Sequence, residues 1–156
     1  MIQRIQTIYL SIAALILIMP VILDLSFASM VVENDLYQLK PAYLMLMTNG
    51  ITENVGNSFP IAGAIALSLL LTIYAIAQYK NRKFQMKLVQ LAMLIQLVIG
   101  VLVFFYADSM TDLVDSGSAT YSPALGIFAV NVLLYFLALR GIKKDDDLVR
   151  SADRLR

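Results

Sequence analysis

Lys80-Asn81-Arg82-Lys83-Phe84-Gln85-Met86-Lys87 carries four of the chain's twelve basic residues, and long apolar segments flank it on both sides. Lys and Arg near the ends of membrane spans are retained on the cytosolic side of the bilayer. Placing this connector inside therefore gives a direction to each apolar segment before and after it. Composition points to spans rather than to a soluble core. Of the 156 residues, 60% are hydrophobic and 15% charged, the mean hydropathy is +0.76, and soluble domains stay nearer half apolar. The net charge of +1 hides an asymmetry and by itself says nothing about nucleic acid; no nucleic-acid partner is expected of such a chain.

Four stretches approach the roughly 20 residues needed to cross a hydrocarbon core. The first runs from about 5 to 27, with Pro20 placed to kink it by removing a backbone donor. Arg4, this run and Ser26-Phe27-Ala28 also fit the outline of a signal peptide; a retained span is the expectation. The second covers about 59–79, with Pro60 suited to a first helical turn. The third covers about 88–106 and closes on Phe104-Phe105-Tyr106, an interfacial aromatic anchor. The fourth covers about 123–142. Between them lie a cytosolic loop 80–87, a cytosolic tail 143–156, and outer loops 28–58 and 107–122, the latter acidic through Asp108, Asp112 and Asp115.

Arg4, the connector's four cations, Arg140, Lys143, Lys144, Arg150, Arg154 and Arg156 all fall inside on this arrangement, and Lys40 alone falls outside. Both termini are therefore predicted to be cytosolic. In the first outer loop, Val31-Val32-Glu33, Asn34-Asp35 and Leu36-Tyr37-Gln38-Leu39 read as strand, turn and strand. Asn49-Gly50 is a stronger hairpin signal, because both residues tolerate positive φ. A small antiparallel cap of about three short strands is predicted there.

Absent residue types narrow the chemistry. The chain has no cysteine and no histidine, so disulfides, thiolate sites and the commonest general base, haem ligand and metal ligand are excluded. No metal and no cofactor is expected. The spans carry stripes of small or weakly polar residues at helical spacing: Thr7, Ser11 and Ala14; Ala64, Ser68 and Thr72; Ala92, Gln96 and Gly100; Ala124, Asn131 and Tyr135. Gln96 lies nine residues from Lys87, and Asn131 nine from Arg140. At about 1.5 Å per residue both sit roughly 13 Å above the cytosolic flank. Thr72 and Ser11 fall near the same depth, which predicts an intramembrane polar layer of Ser11, Thr72, Gln96 and Asn131, with Gln96 and Asn131 touching or sharing a polar neighbour. The layer reads either as a clamp between helices or as a site for a polar solute. None of its members ionises, which favours the clamp and disfavours a proton pump.

In the tail, Asp145-Asp146-Asp147 suits a helix N-terminus, and the arginines that follow suit its C-terminal half. The segment reads as a solvated end held near anionic lipid, or as a docking helix that engages a partner through Arg150, Asp153, Arg154 and Arg156.

Met1-Ile2-Gln3-Arg4-Ile5-Gln6-Thr7-Ile8-Tyr9-Leu10 and the ending Leu148-Val149-Arg150-Ser151-Ala152-Asp153-Arg154-Leu155-Arg156 resemble a Bacteroidota family called domain of unknown function 4293. The resemblance implies a bacterial inner-membrane protein with four spans and transfers no catalytic residue. The layout also resembles that of claudin-like tetraspan proteins, in architecture alone, since tryptophan and paired cysteines are absent.

The expected fold is all-α: a single four-transmembrane-helix bundle with a small β-rich extracytoplasmic cap in the first outer loop. The expected function is that of a non-catalytic accessory or scaffold subunit of a larger inner-membrane protein complex, in contact with membrane lipid. The alternative is a binding or transport protein for a lipid or neutral solute. A crevice open to lipid and lined by the polar layer would favour the alternative, and a closed, filled bundle the scaffold.

Overall fold

Each apolar stretch forms a helix, and the sequence supplies most of the stops. The computed structural model describes residues 5–33, 35–79, 81–112 and 118–154, with the backbone alone for residues 150 and 152–154. Helix α1 spans Ile5–Ile22 and stops short of the predicted 27. Pro20 cannot donate to the Ile16 carbonyl, the Leu25 amide turns back to the Pro20 carbonyl at 3.0 Å, and Asp24 adopts a positive φ of 49°. Helix α2 spans Phe59–Ala77, with Pro60 in its first turn. Helix α3 spans Arg82–Asp112 and starts inside the basic connector. Asn81 caps it by accepting the Phe84 amide on Oδ1 at 3.2 Å. Most of the predicted loop 80–87 is thus helical, as the good helix formers Lys83, Gln85, Met86 and Lys87 allow. Asp115 of the acidic loop lies outside the described residues.

Helix α4 spans Gly126–Arg154 and follows a single 3₁₀ turn, Pro123–Leu125. It runs from the fourth apolar stretch into the tail without interruption, so Asp145 to Asp147 sit mid-helix and do not open a new one. No Gly or Pro separates Ile142 from Arg154, and nothing else on the chain stops the helix there. All four helices are long and apolar enough to cross a membrane. Their outward faces are apolar, with Leu15, Leu70, Val101, Phe105 and Leu133 each more than 60% exposed.

The connection between α1 and α2 contributes four strands: β1 (Ala28–Val32), β2 (Asp35–Leu39), β3 (Tyr43–Thr48) and β4 (Ile51–Asn57). The Asn49-Gly50 hairpin forms, with Thr48 opposite Ile51 and positive φ at both turn residues, 51° and 83°. In the first hairpin Val32 pairs with Asp35, so the turn is one residue earlier than predicted and Asp35 belongs to the strand. A two-residue strand β5, Thr120–Tyr121, pairs with Ala28 and Ser29. The result is a five-stranded antiparallel sheet in the order β4-β3-β2-β1-β5.

The all-α expectation is therefore overturned, and so is the cap confined to one loop. The sheet draws on both connections that leave its end of the molecule, α1–α2 and α3–α4. It is also part of the core: Phe27, Ala28, Met30, Leu39 and Leu44 pack in one apolar cluster with Leu17, Ile61, Ile99, Val103, Met110 and Phe128. The Phe27 and Phe128 rings lie 5.3 Å apart and join the sheet to α4. Hydropathy identifies spans by length, and a two-residue strand leaves no period to read.

Around the interior, α1 packs on α2 and α4, and α3 packs on the same two helices. A second apolar cluster fills the end opposite the sheet with Leu10, Ala13, Ala75, Val89, Ala92, Tyr135, Ala138 and Ile142. Between the two clusters α2 places Ser68 and Thr72, α3 places Gln96, and α4 places Asn131, all buried. Polar residues thus divide the apolar interior at mid-span.

Candidate functional site

The mid-span belt is a directed chain of hydrogen bonds. Gln96 Nε2 donates to Ser68 Oγ at 2.6 Å. Thr72 Oγ1 donates to the Ser68 carbonyl at 2.8 Å, the back-bond common for a hydroxyl within a helix. A threonine hydroxyl has one hydrogen, so at 2.7 Å Thr72 accepts from the Tyr135 hydroxyl. Ser68 Oγ, with its acceptor side facing Gln96, directs its hydrogen to the Tyr135 oxygen at a long 3.5 Å. These bonds tie α3 to α2 and cross from α2 to α4. The belt offers hydroxyl and amide groups and no ionisable carboxylate, amine or imidazole, so it can bind and orient but not exchange protons near neutral pH.

Among the predicted layer residues, Thr72, Gln96 and Asn131 are buried at the common depth, and Ser11 is not. The buried stripe of α1 is Gln6, Leu10, Ala13, Leu17 and Pro20. Ser11, one residue beyond Leu10, is turned about 100° away from that stripe and lies on the exposed face. No hydrogen bond joins Gln96 and Asn131 among the described residues. Gln96 reaches α2 instead, while Asn131 Oδ1 and Nδ2 are buried with no protein partner, as is Gln96 Oε1. Leaving such a group unpaired costs about 1–3 kcal/mol. Ser68 and Tyr135 belong to the small-residue stripes but not to the predicted layer, although they form half of the network.

A groove of about 640 Å³ opens between α3 and α4 beside the belt. Gln96, Gly100 and Phe104 line it from α3, Phe128 and Val132 from α4, and Tyr121 from β5. Phe104 stacks on Tyr121, centroids 6.0 Å apart and planes within 11°, at the sheet end of the groove. Of the four predicted residues only Gln96 lines it.

Sequence reasoning missed two polar groups. At the junction of α1 and the sheet, Lys40 Nζ donates to the Asp24 carbonyl and to Asp24 Oδ2, the latter at 3.0 Å. Tyr43 donates to the same Oδ2 at 3.0 Å, and buried Ser58 donates to the Lys40 carbonyl at 2.8 Å. That hydrogen bond to Asp24, with smaller contributions from burial and from the Asp24 charge, holds the Tyr43 phenol above its ordinary pKa. The isolation of Lys40 from every other basic residue was the available signal. Toward the opposite end, Gln6 and Gln85 are buried, and Gln85 Nε2 donates to the Ala75 carbonyl at 2.9 Å. Gln6 packs against Gly141, where an added Cβ would lie 3.4 Å from the Gln6 Cβ, so the small residue lets α1 and α4 approach.

In the tail, Arg150, Asp153 and Arg154 belong to α4, but their side chains lie outside the described residues, as does Arg156 altogether. Leu148 and Val149 are exposed on this extension, 60% and 42%. Among the described residues no three acidic side chains come together as metal ligands.

No functionally curated protein matches the chain. The family model described as a domain of unknown function, DUF4293, matches residues 2–155, nearly the whole length, and the chain belongs to that family.

Proposed function

We propose that this is a non-catalytic membrane protein that binds a lipid or neutral solute laterally, within the bilayer, in the groove between α3 and α4. The observation that carries the reading is Gln96: a buried amide on the wall of a mostly apolar groove, at mid-span and open at the side. An apolar trough at that level is surrounded by hydrocarbon, so its occupant comes from the membrane. Eleven of the twelve cations lie outside the sheet-forming segments, and the positive-inside bias supports an extracytoplasmic sheet. With the family resemblance this supports a bacterial cytoplasmic membrane with both termini inside.

The test is native mass spectrometry of the full chain extracted in mild detergent. Wild type is expected to retain a lipid-mass adduct that Gly100→Leu loses, since a side chain at Gly100 has open space to enter. Equal retention by both proteins would sink the groove. A second reading, an accessory subunit of a larger complex, is favoured by the continuation of α4 with exposed Leu148 and Val149. It expects truncation after Lys144 to leave the helices folded and abolish co-purification of a partner; full recovery of the same partner would remove it.

A further inference from the structure

We infer that α4 holds the headgroup of an anionic phospholipid at the end of the molecule opposite the sheet, with the lipid phosphate on Arg140, Lys143 and Lys144. This site is separate from the α3–α4 groove and does not depend on it. The three cations line a cleft of about 500 Å³ together with Asp147, Leu148 and Ser151. All three are exposed, and among the described residues none of them forms an ion pair. Asp147 follows Lys143 by four residues and Lys144 by three, yet pairs with neither. The Ser151 hydroxyl already donates to the Leu148 carbonyl at 2.8 Å, so the cations are the cleft's free donors.

Position along and around the helix selects a lipid. Spacings of three and four residues put Leu133, Phe136 and Leu137 on the same face of α4 as Arg140, Lys143 and Lys144. Leu133 and Phe136 are 63% and 57% exposed, so this face is an open apolar stripe that turns cationic at Arg140. Arg140 and Lys144 lie about 21 and 27 Å along the helix from Gly126. A hydrocarbon core is about 30 Å thick, which brings the cations to the level where phosphates begin. A free anion would meet the cations alone, whereas a lipid meets them and lays its chains on the stripe. Charge then selects the headgroup. Three cations face one carboxylate, so the cleft is net positive and favours anionic over zwitterionic lipid. Asp147 lies beyond the cations, on the side away from the stripe, and would repel a second negative charge outside the phosphate. A phosphodiester with an uncharged outer group, as in phosphatidylglycerol, fits both ends of the cleft.

The experiment titrates phosphatidylglycerol and phosphatidylcholine of identical acyl chains into the purified full-length chain in neutral detergent, with bound lipid read by native mass spectrometry. Wild type should prefer phosphatidylglycerol by at least about fivefold. Lys143→Gln with Lys144→Gln should lower its affinity about fivefold for each cation removed, while Lys83→Gln with Lys87→Gln, exposed cations of α3, should not. Asp147→Asn should strengthen phosphatidylglycerol binding. Gly100→Leu should leave the preference unchanged, and millimolar inorganic phosphate should not displace the lipid. Equal affinity of wild type for the two lipids would overturn the site, as would equal losses in the two lysine pairs, which would mean that any positive charge serves. Unchanged or weaker binding by Asp147→Asn would place the headgroup elsewhere. Loss of the preference in Gly100→Leu would assign the lipid to the groove, and displacement by inorganic phosphate would make the cleft a site for a free anion.

Discussion

At the seam between α1 and the sheet, Lys40, Tyr43 and Ser58 all donate to oxygens of Asp24 or Lys40. At mid-span, Gln96 and Asn131 are more deeply buried, yet Gln96 Oε1 and both amide atoms of Asn131 find no protein partner among the described residues. Water still reaches the Asp24 end of the seam but not the belt, and away from water a hydrogen bond made and a hydrogen bond missed have opposite signs. The seam couples a helix end, a strand and the start of α2, elements far apart in sequence, so its bonds convert directly into fold. The belt does so only in part: Tyr135, Thr72 and Ser68 join helices, while the two amides add a cost that the fold alone does not offset.

The largest expected effect lies at the seam. Lys40→Met removes both Lys40 hydrogen bonds to Asp24 and leaves Tyr43 as its remaining side-chain donor. Asp24 is half exposed, its side chain 51% accessible, so solvent reduces the penalty from that of a fully buried pair. A loss of about 2 kcal/mol of unfolding free energy in detergent is expected. In Lys40→Met with Asp24→Asn the combined loss should fall short of the sum of the two single losses, and strict additivity would show that the two side chains do not act together. At mid-span the comparison predicts a change of sign. Tyr135→Phe removes the donor to Thr72 and should cost about 1 kcal/mol. Asn131→Leu removes an unpartnered amide and should leave stability unchanged or raise it by up to about 1 kcal/mol. If both variants are destabilised alike, Asn131 is paired and the contrast between the two clusters collapses.

What could be read from the chain follows the same division. The spans were legible because an apolar run of helical length is a dense signal, and the Asn49-Gly50 hairpin because its turn demands positive φ. The depth of Thr72, Gln96 and Asn131 was legible by counting from flanking cations at constant rise. Ser11 was misplaced because depth along a helix and direction around it are separate quantities, and only packing against neighbours sets the second. The extent of the sheet was not legible, since β5 is two residues whose partner β1 lies about ninety positions away. Nor was the Lys40–Asp24 pair, which depends on α1 stopping at Ile22 and β2 ending beside it. The continuation of α4 was hidden by reading charge as a boundary, whereas backbone continuity needs only the absence of a breaker.

The smallest effect tests whether Tyr43 contributes to the seam or merely lies on it. Its phenol donates to Asp24, and the pKa is raised because ionisation would destroy that bond beside a carboxylate. A raised folded-state pKa favours the protonated form in the native protein. The stabilisation is therefore fully present below the unfolded tyrosine value near 10 and is lost as pH rises through the higher folded value. Tyr43→Phe lacks the group and shows no such loss. Every other side chain is common to both proteins, so the difference between their unfolding transitions isolates this one hydroxyl. That difference should be small but constant below the ordinary tyrosine value, and close as pH rises through the raised folded-state value. A difference that persists unchanged into the alkaline range would mean that Tyr43 stabilises through its ring alone, with Lys40 carrying the seam's polar contribution.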